Sequence, residues 1–198
     1  IAHKFSEKFA AKASFSFLKG TEWYATEYRD FNNPSLTRLD PAYDGLNIYG
    51  DEVSTEINFD LAAQANLPIA IGTLGSATIS RTGYEERDLM DYNAESAKTD
   101  ISLHYRPFED DLEIIYNGKF GRGNTIYQGA NRYAIDNFTM QQHKIEIKND
   151  NFFVRAYLTD EDAGDSYDTR FAAININRDW KGDTQWFTEY ATTFIGAR

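Results

Sequence analysis

The chain has 198 residues, 31 acidic against 20 basic side chains for a formal charge of −11, no cysteine, and a mean hydropathy of −0.59. This balance excludes a nucleic-acid partner, which needs a basic patch facing the phosphates, and the missing thiols exclude disulfides and thiolate metal sites. No run approaches the roughly 18 apolar residues of a membrane-spanning helix. A β-barrel would escape a hydropathy test, because only alternate residues of its strands face lipid.

From Lys8 to Leu18 the sequence alternates: Phe9, Ala11, Ala13, Phe15 and Phe17 share one side of an extended strand, and Lys8, Ala10, Lys12, Ser14 and Ser16 the other. A long connection from Leu18 to Ser96 follows, with an acidic stretch from Tyr84 to Asp91 that reads as solvated loop surface. From Ser96 to Arg106, Ala97, Thr99, Ile101, Leu103 and Tyr105 oppose Ser96, Lys98, Asp100, Ser102, His104 and Arg106. After the turn formers Pro107 to Asp111, Leu112, Ile114, Tyr116, Gly118 and Phe120 oppose Glu113, Asn117 and Lys119, with Ile115 the one exception.

Gly121 to Thr139 reads as a second long loop. A further hairpin joins Met140–Lys148 to Phe152–Thr159 through Asn149, Asp150 and Asn151. In it His143, Ile145 and Ile147 share a face, and Phe152, Val154, Ala156 and Leu158 oppose Phe153, Arg155, Tyr157 and Thr159. The region after Thr159 is long again, beginning with the acidic run Asp160 to Asp168. Beyond it, Ala172, Ala173, Ile174, Ile176 and Trp180 suit a strand or a helix, Arg178 to Gln185 reads as a polar connector, and Phe187, Tyr190, Ala191 and Phe194 fall at helical spacing.

The polar members Lys144, Glu146, Lys148 and Arg155 are too charged for a dry sandwich core, whereas a wet lumen accepts them. Connections alternate between short and long, as the periplasmic turns and extracellular loops of outer-membrane barrels do. The predicted fold is therefore all-β: an antiparallel transmembrane β-barrel wall of about five strands, with long extracellular loops. Five strands cannot close, since the smallest barrels use about eight and an open edge in lipid leaves backbone groups unpaired. Residues 1–198 are thus expected to be the N-terminal part of the barrel domain of a larger molecule.

The strings Tyr105-Arg106-Pro107-Phe108, Gly121 through Tyr133, Met140-Gln141-Gln142-His143-Lys144, Asn151 through Tyr157, Arg81-Thr82-Gly83-Tyr84 and Gly164 through Asp168 resemble TonB-dependent outer-membrane receptors of the type related to SusC-like transporters. The resemblance runs from about Phe9 to the end of the chain. It implies a barrel of about 22 strands, a plug domain, import of a bound glycan, peptide or chelate driven through TonB, and often a surface lipoprotein as a lid. It also favours a short helical excursion near the C-terminus, and an outer-membrane location in a Gram-negative bacterium. No plug or TonB-contacting segment precedes Phe9, so contact with TonB would run through a region outside this chain.

Loop aromatics are the candidate ligand contacts, because flat rings stack on sugars or peptides at little entropy cost: Trp23, Tyr24, Tyr28 and Tyr43 in the first long loop, Tyr127 and Tyr133 in the second. Packing among loops, or an interfacial girdle, is the bland alternative. Gly121, Gly123 and Gly129 suit tight turns. Trp180, Trp186, Phe187 and Tyr190, exposed on an outer loop, are candidate contacts for a partner.

Asp160, Asp162, Asp165 and Asp168, with Gly164 to bend the chain, have the oxygen density of a Ca²⁺ loop but lack the Glu of an EF-hand, so a solvated acidic loop is the leading reading and no cofactor is expected. The chain is expected not to be an enzyme: His104 and His143 sit in strands beside charged neighbours, no nucleophile elbow, HExxH or CxxC occurs, and the pairs Glu85–Glu86 and Asp110–Asp111 point apart on a strand. Three functions follow: a segment of an import receptor, a transport-inactive barrel holding proteins in an envelope complex, or a soluble glycan-binding β-sandwich. Outer-membrane lipid is the partner common to the first two.

Overall fold

A computed structural model describes residues 1–65, 68, 70–109, 111–129 and 131–198. Asp110, of the first predicted hairpin turn and acid pair, and Ala130, of the second predicted loop, lie outside the described residues. In chain order the elements are β1 (Ala2–Lys4), β2 (Phe9–Thr21), β3 (Ile48–Tyr49), β4 (Ser54–Asn58), α1 (Phe59–Gln64), β5 (Ser76–Ser80), β6 (Tyr84–Glu85), β7 (Asn93–Tyr105), β8 (Glu113–Gln128), β9 (Arg132–Lys148), β10 (Phe153–Asp162), β11 (Tyr167–Asp168), α2 (Thr169–Trp180) and α3 (Asp183–Gly196). The chain is mostly β, and it divides into two compact units.

The first unit comprises residues 1–22, 92–129 and 133–167. Its antiparallel sheet has the order β1-β2-β7-β8-β9-β10, with β11 pairing β9 as a seventh strand. Register decides what the alternation means. Phe9 faces Tyr105, Ala11 faces Leu103, Ala13 faces Ile101, Phe15 faces Thr99 and Phe17 faces Ala97. Tyr105 in turn faces Ile114, Leu103 faces Tyr116, Ile101 faces Gly118 and Thr99 faces Phe120. Directly opposed residues lie on the same side of a sheet, so the three apolar sets become one continuous face. On β9 and β10, Ile147 faces Val154, Ile145 faces Ala156 and His143 faces Leu158. A slip of one residue at any pairing would have mixed the faces.

Both short hairpins form as expected. At the second, Asn149 caps its own turn: its side-chain oxygen accepts from the Asn151 and Phe152 backbone N–H groups, each at 2.9 Å. The strands are longer than the alternation suggested. The predicted loop Gly121 to Thr139 is mostly strand, because β8 runs to Gln128 and β9 starts at Arg132. Pairing with β7 carries β8 beyond its alternating part, through Ser96 opposite Gly123 and Glu95 opposite Asn124. Gly123 serves close approach rather than a turn, since a Cβ there would come within 2.6 Å of the Glu95 carbonyl oxygen. The acidic run is also part strand: Asp160 and Asp162 pair with Gln141 and Thr139, and the bend comes at Gly164, whose φ of 60° is left-handed.

The second unit comprises residues 23–91, 130–132 and 168–198. Its core gathers Phe59, Ile79 and Ala191, with Ile57, Leu74, Trp186, Phe187, Tyr190, Phe194 and Ile195 packed on them. Phe59 lies 4.3 Å from Phe194 by ring centroids, and burying it contributes roughly 2–3 kcal/mol. Asn58 caps α1 by accepting from the Leu61 N–H, and Asp168 caps α2 by accepting from the Arg170 and Phe171 N–H groups. The ambiguous segment after Asp168 is therefore helix. The predicted connector Arg178 to Gln185 shrinks to Lys181 and Gly182, because α2 runs through Arg178 to Trp180 and Asp183 opens α3. The helical excursion is two helices, 12 and 14 residues long. The predicted long loop from Leu18 to Ser96 holds two small two-stranded sheets, β3 with β6 and β4 with β5.

Candidate functional site

The sheet of the first unit carries two chemistries on its two sides. On the apolar side, Phe15 is 70% exposed, Phe17 55%, Val154 64% and Leu158 64%. On the other side Glu113, Glu146 and Asp100 each lie beside a base from a neighbouring strand. Glu113 lies 3.5 Å from the Lys148 ammonium and 3.9 Å from Arg106, and His104 Nδ1 is 2.9 Å from its Oε1. Glu146 pairs with Arg155 across the β9–β10 ladder and with Lys144 at 3.7 Å. Asp100 accepts from Asn117 at 3.1 Å, with the Lys119 ammonium at 4.0 Å. A concavity of about 630 Å³ opens on this unit beside Ser14, Lys98, Asp100, Lys119, Phe138 and Met140.

The candidate ligand-binding aromatics do not share one environment. Trp23 and Tyr24 are each 59% exposed. Trp23 stacks against the Arg132 guanidinium, 4.0 Å from its ring centre. The Tyr28 hydroxyl donates to Glu85 Oε2 at 3.0 Å. Tyr43 is a correction: it is buried, and its hydroxyl donates to the Tyr28 carbonyl at 2.6 Å, so it packs the second unit and offers no ring to a ligand. Tyr127 and Tyr133 sit on strands rather than in a loop, their rings 5.9 Å apart on the β8–β9 hairpin.

Of the candidate partner contacts, Trp180 is exposed, 67% by area. Trp186, Phe187 and Tyr190 are not on an open loop: α3 turns them onto Phe59 and Ile79, and the Arg81 guanidinium lies 5.4 Å from the Trp186 ring centre. The four candidate calcium ligands are each used locally. Asp160 accepts from Gln141, Asp162 from the Gly164 N–H, Asp165 from Asn137, and Asp168 from Asn131 and the start of α2. No group of three or more potential metal ligands occurs among the described residues.

Buried charge organises the second unit, and the alternation gave no sign of it. Arg81, 2% exposed, donates to the Asn177 and Lys181 carbonyls and to Asp183, which ties the end of α2 to the start of α3. Burial pushes the Asp183 carboxyl up, but hydrogen bonds from Arg81 and Arg178 outweigh it and hold the group below the usual range. Burial likewise opposes ionisation of Asp30, and the N–H groups of Asp44, Asn33 and Asn32 together reverse it. The Leu74 and Gly72 N–H groups hold Asp60 low. Asp51 goes the other way. Burial raises it to about 7 against a hydrogen bond from the Gly45 N–H, with Glu52 and Asp44 adding repulsion, and its Oδ1 meets no donor among the described residues. Glu85 and Glu86 do point apart: Glu85 meets Tyr28, Arg38 and Arg87, while Glu86 meets Tyr49 and Arg132.

The chain matches no family model, no curated protein and no solved structure.

Proposed function

We propose that the first unit is a stretch of outer-membrane β-barrel wall, and that the chain belongs to a TonB-dependent receptor related to SusC-like transporters, importing a ligand bound by its outer loops. One observation carries the reading: register joins the apolar residues of β2, β7 and β8 into one face, on which Phe15, Phe17, Ile101, Tyr105 and Phe120 are all exposed. Water-soluble monomers rarely expose a contiguous apolar patch above a few hundred Å², while lipid is the natural cover for rings and aliphatic chains on alternate residues. The opposite face, with its cross-strand ion pairs, suits a wet interior. The strands have the length for it, at 13 residues for β2 and β7, 16 for β8 and 17 for β9, against the roughly 9–11 a tilted strand needs to cross.

No described helix is long and apolar enough to cross a membrane, and such a test leaves strands aside. The second unit fits the role of a folded loop domain, where Trp23 and Tyr24 offer exposed rings for stacking and Trp180 an apolar contact for a lid protein. The test is extraction and sequencing of the intact polypeptide. Recovery only in detergent, with a plug and a TonB-contacting segment upstream, supports the receptor. A detergent-soluble barrel without a plug favours the structural subunit of an envelope complex. Recovery as a soluble monomer overturns the wall.

A further inference from the structure

We propose that Ser102, His104 and Glu113 form a nucleophilic triad on the charged face of the sheet, and that it hydrolyses esters of small anionic acids. His104 Nε2 lies 3.1 Å from Ser102 Oγ, and His104 Nδ1 lies 2.9 Å from Glu113 Oε1. One tautomer satisfies both contacts: Nδ1–H donates to the carboxylate, leaving Nε2 to accept from the serine hydroxyl. That is the protonation state a general base needs, with the carboxylate holding the ring and stabilising the imidazolium that forms. Ser102 and His104 are two apart on β7 and so share a face, and Glu113 reaches the ring from the start of β8.

His104 and Glu113 line a groove of about 590 Å³ together with Lys12, and Lys12 stands directly opposite Ser102 in the β2–β7 register. Lys12 makes no ion pair among the described residues, whereas Lys4 is taken by Glu7 and Lys8 by the Pro107 carbonyl. The backbone N–H groups around Ser102 are committed to the ladders with β2 and β8, so the developing oxyanion falls to the Lys12 ammonium. Four Lys and Arg side chains line the groove, Lys4, Lys8, Lys12 and Arg106, against the two carboxylates Glu7 and Glu113, in a protein whose formal charge is −11. That local excess of positive charge selects an acyl group bearing a carboxylate or phosphate.

In the reaction, Ser102 Oγ bonds to the ester carbonyl carbon as its proton passes to His104 Nε2, and the carbonyl π pair moves onto the oxygen beside Lys12. Collapse breaks the bond to the alcohol oxygen, which leaves with the proton from His104, so that Ser102 is acylated. Water, deprotonated by His104, attacks the acyl carbon, and the acid departs as Ser102 recovers its proton. The alternation along the chain could not give this arrangement, because the carboxylate arrives from across a hairpin.

The test treats the intact detergent-extracted protein with a fluorophosphonate probe, maps the adduct by mass spectrometry, and follows p-nitrophenolate release from p-nitrophenyl acetate and from the monoanionic p-nitrophenyl succinate. Ser102 should carry the probe, Ser102→Ala should abolish both adduct and burst, and His104→Gln should slow the burst by about 10³-fold or more. The succinate ester should turn over faster than the acetate, and Lys12→Gln should remove that preference. An unmodified Ser102, or equal release by Ser102→Ala and the parent, overturns the triad. Equal turnover of the two esters overturns the anionic substrate. The adduct is read whether or not the protein enters membranes, so this inference stands or falls separately from the barrel.

Discussion

Arg132 and Glu86 form a two-pronged ion pair in the interior of the second unit, with Nε 2.8 Å from Oε2 and Nη2 3.0 Å from Oε1. The two side chains are 2% and 0% exposed. Around them the Tyr49 hydroxyl donates to Glu86 at 2.9 Å, and Arg132 donates to the Trp23 carbonyl at 3.0 Å. Four sequence-distant segments are therefore joined through one guanidinium and one carboxylate. The planar fork of arginine suits this geometry, and lysine could not reproduce it.

Replacing one member of such a pair strands the other in a dry site, at a cost of about 3–5 kcal/mol, while replacing both with apolar side chains costs far less. Arg132→Met and Glu86→Met should each accelerate hydrogen exchange through 84–92, and the double variant should recover most of the protection. Exchange that worsens additively in the double variant would contradict the coupling.

Asp51 gives the second unit a pH dependence of definite sign. Its carboxyl is raised to about 7 in the fold, chiefly by burial, and returns to about 3.9 when the segment opens. Between those values the folded state binds more protons than the open one. The contribution of Asp51 to stability is therefore greatest below about pH 4, falls as pH rises towards 7, and levels off above it. Hydrogen exchange through 41–53 should report opening that grows with pH in that window by up to about tenfold per unit, after correction for the intrinsic rate. Asp51→Asn keeps an acceptor for the Gly45 N–H and removes the charge, so it should flatten the dependence.

The two faces of the sheet should respond differently to charge. Ile101→Lys places an ammonium on the apolar face, where a membrane midplane position costs about 2–4 kcal/mol. Lys98→Ser and Asp100→Asn, on the opposite face, should each leave folding into lipid vesicles nearly unchanged, read as the heat-modifiable shift of a folded barrel in electrophoresis. Equal effects on both faces would remove the assignment.

How much of this was legible in the sequence depends on the range of the physics involved. Strands β2 and β7 and the near part of β8 announced themselves because apolar and polar side chains alternate along each, so period two is written into Phe9 to Phe17 and into Ala97 to Tyr105. The far part of β8 and the start of β9 did not, because Gly121, Gly123 and Asn124 are strand residues only by virtue of the partner that pairs with them. The helices after Asp168 were half legible. Phe187, Tyr190 and Phe194 showed the spacing, but Arg178 to Gln185 looked polar because Asp183 pairs with the buried Arg81 and with the half-exposed Arg178. Tyr43 read as a loop aromatic since nothing local says that a hydroxyl will be claimed by a carbonyl 15 residues back. Arg81, Glu86, Asp51 and Arg132 left no trace in the pattern, because a buried charge is decided by distant partners.

In the proposed wall the apolar side of the sheet faces lipid. The chain has no cysteine, so single cysteines at successive positions from 96 to 105 can each carry one fluorophore without a background label. In vesicles containing a lipid-borne quencher, positions 97, 99, 101, 103 and 105 should be quenched and the intervening ones should not, a two-residue period along β7. Uniform accessibility to an aqueous quencher, with no effect of the lipid-borne one at any position, would contradict the wall.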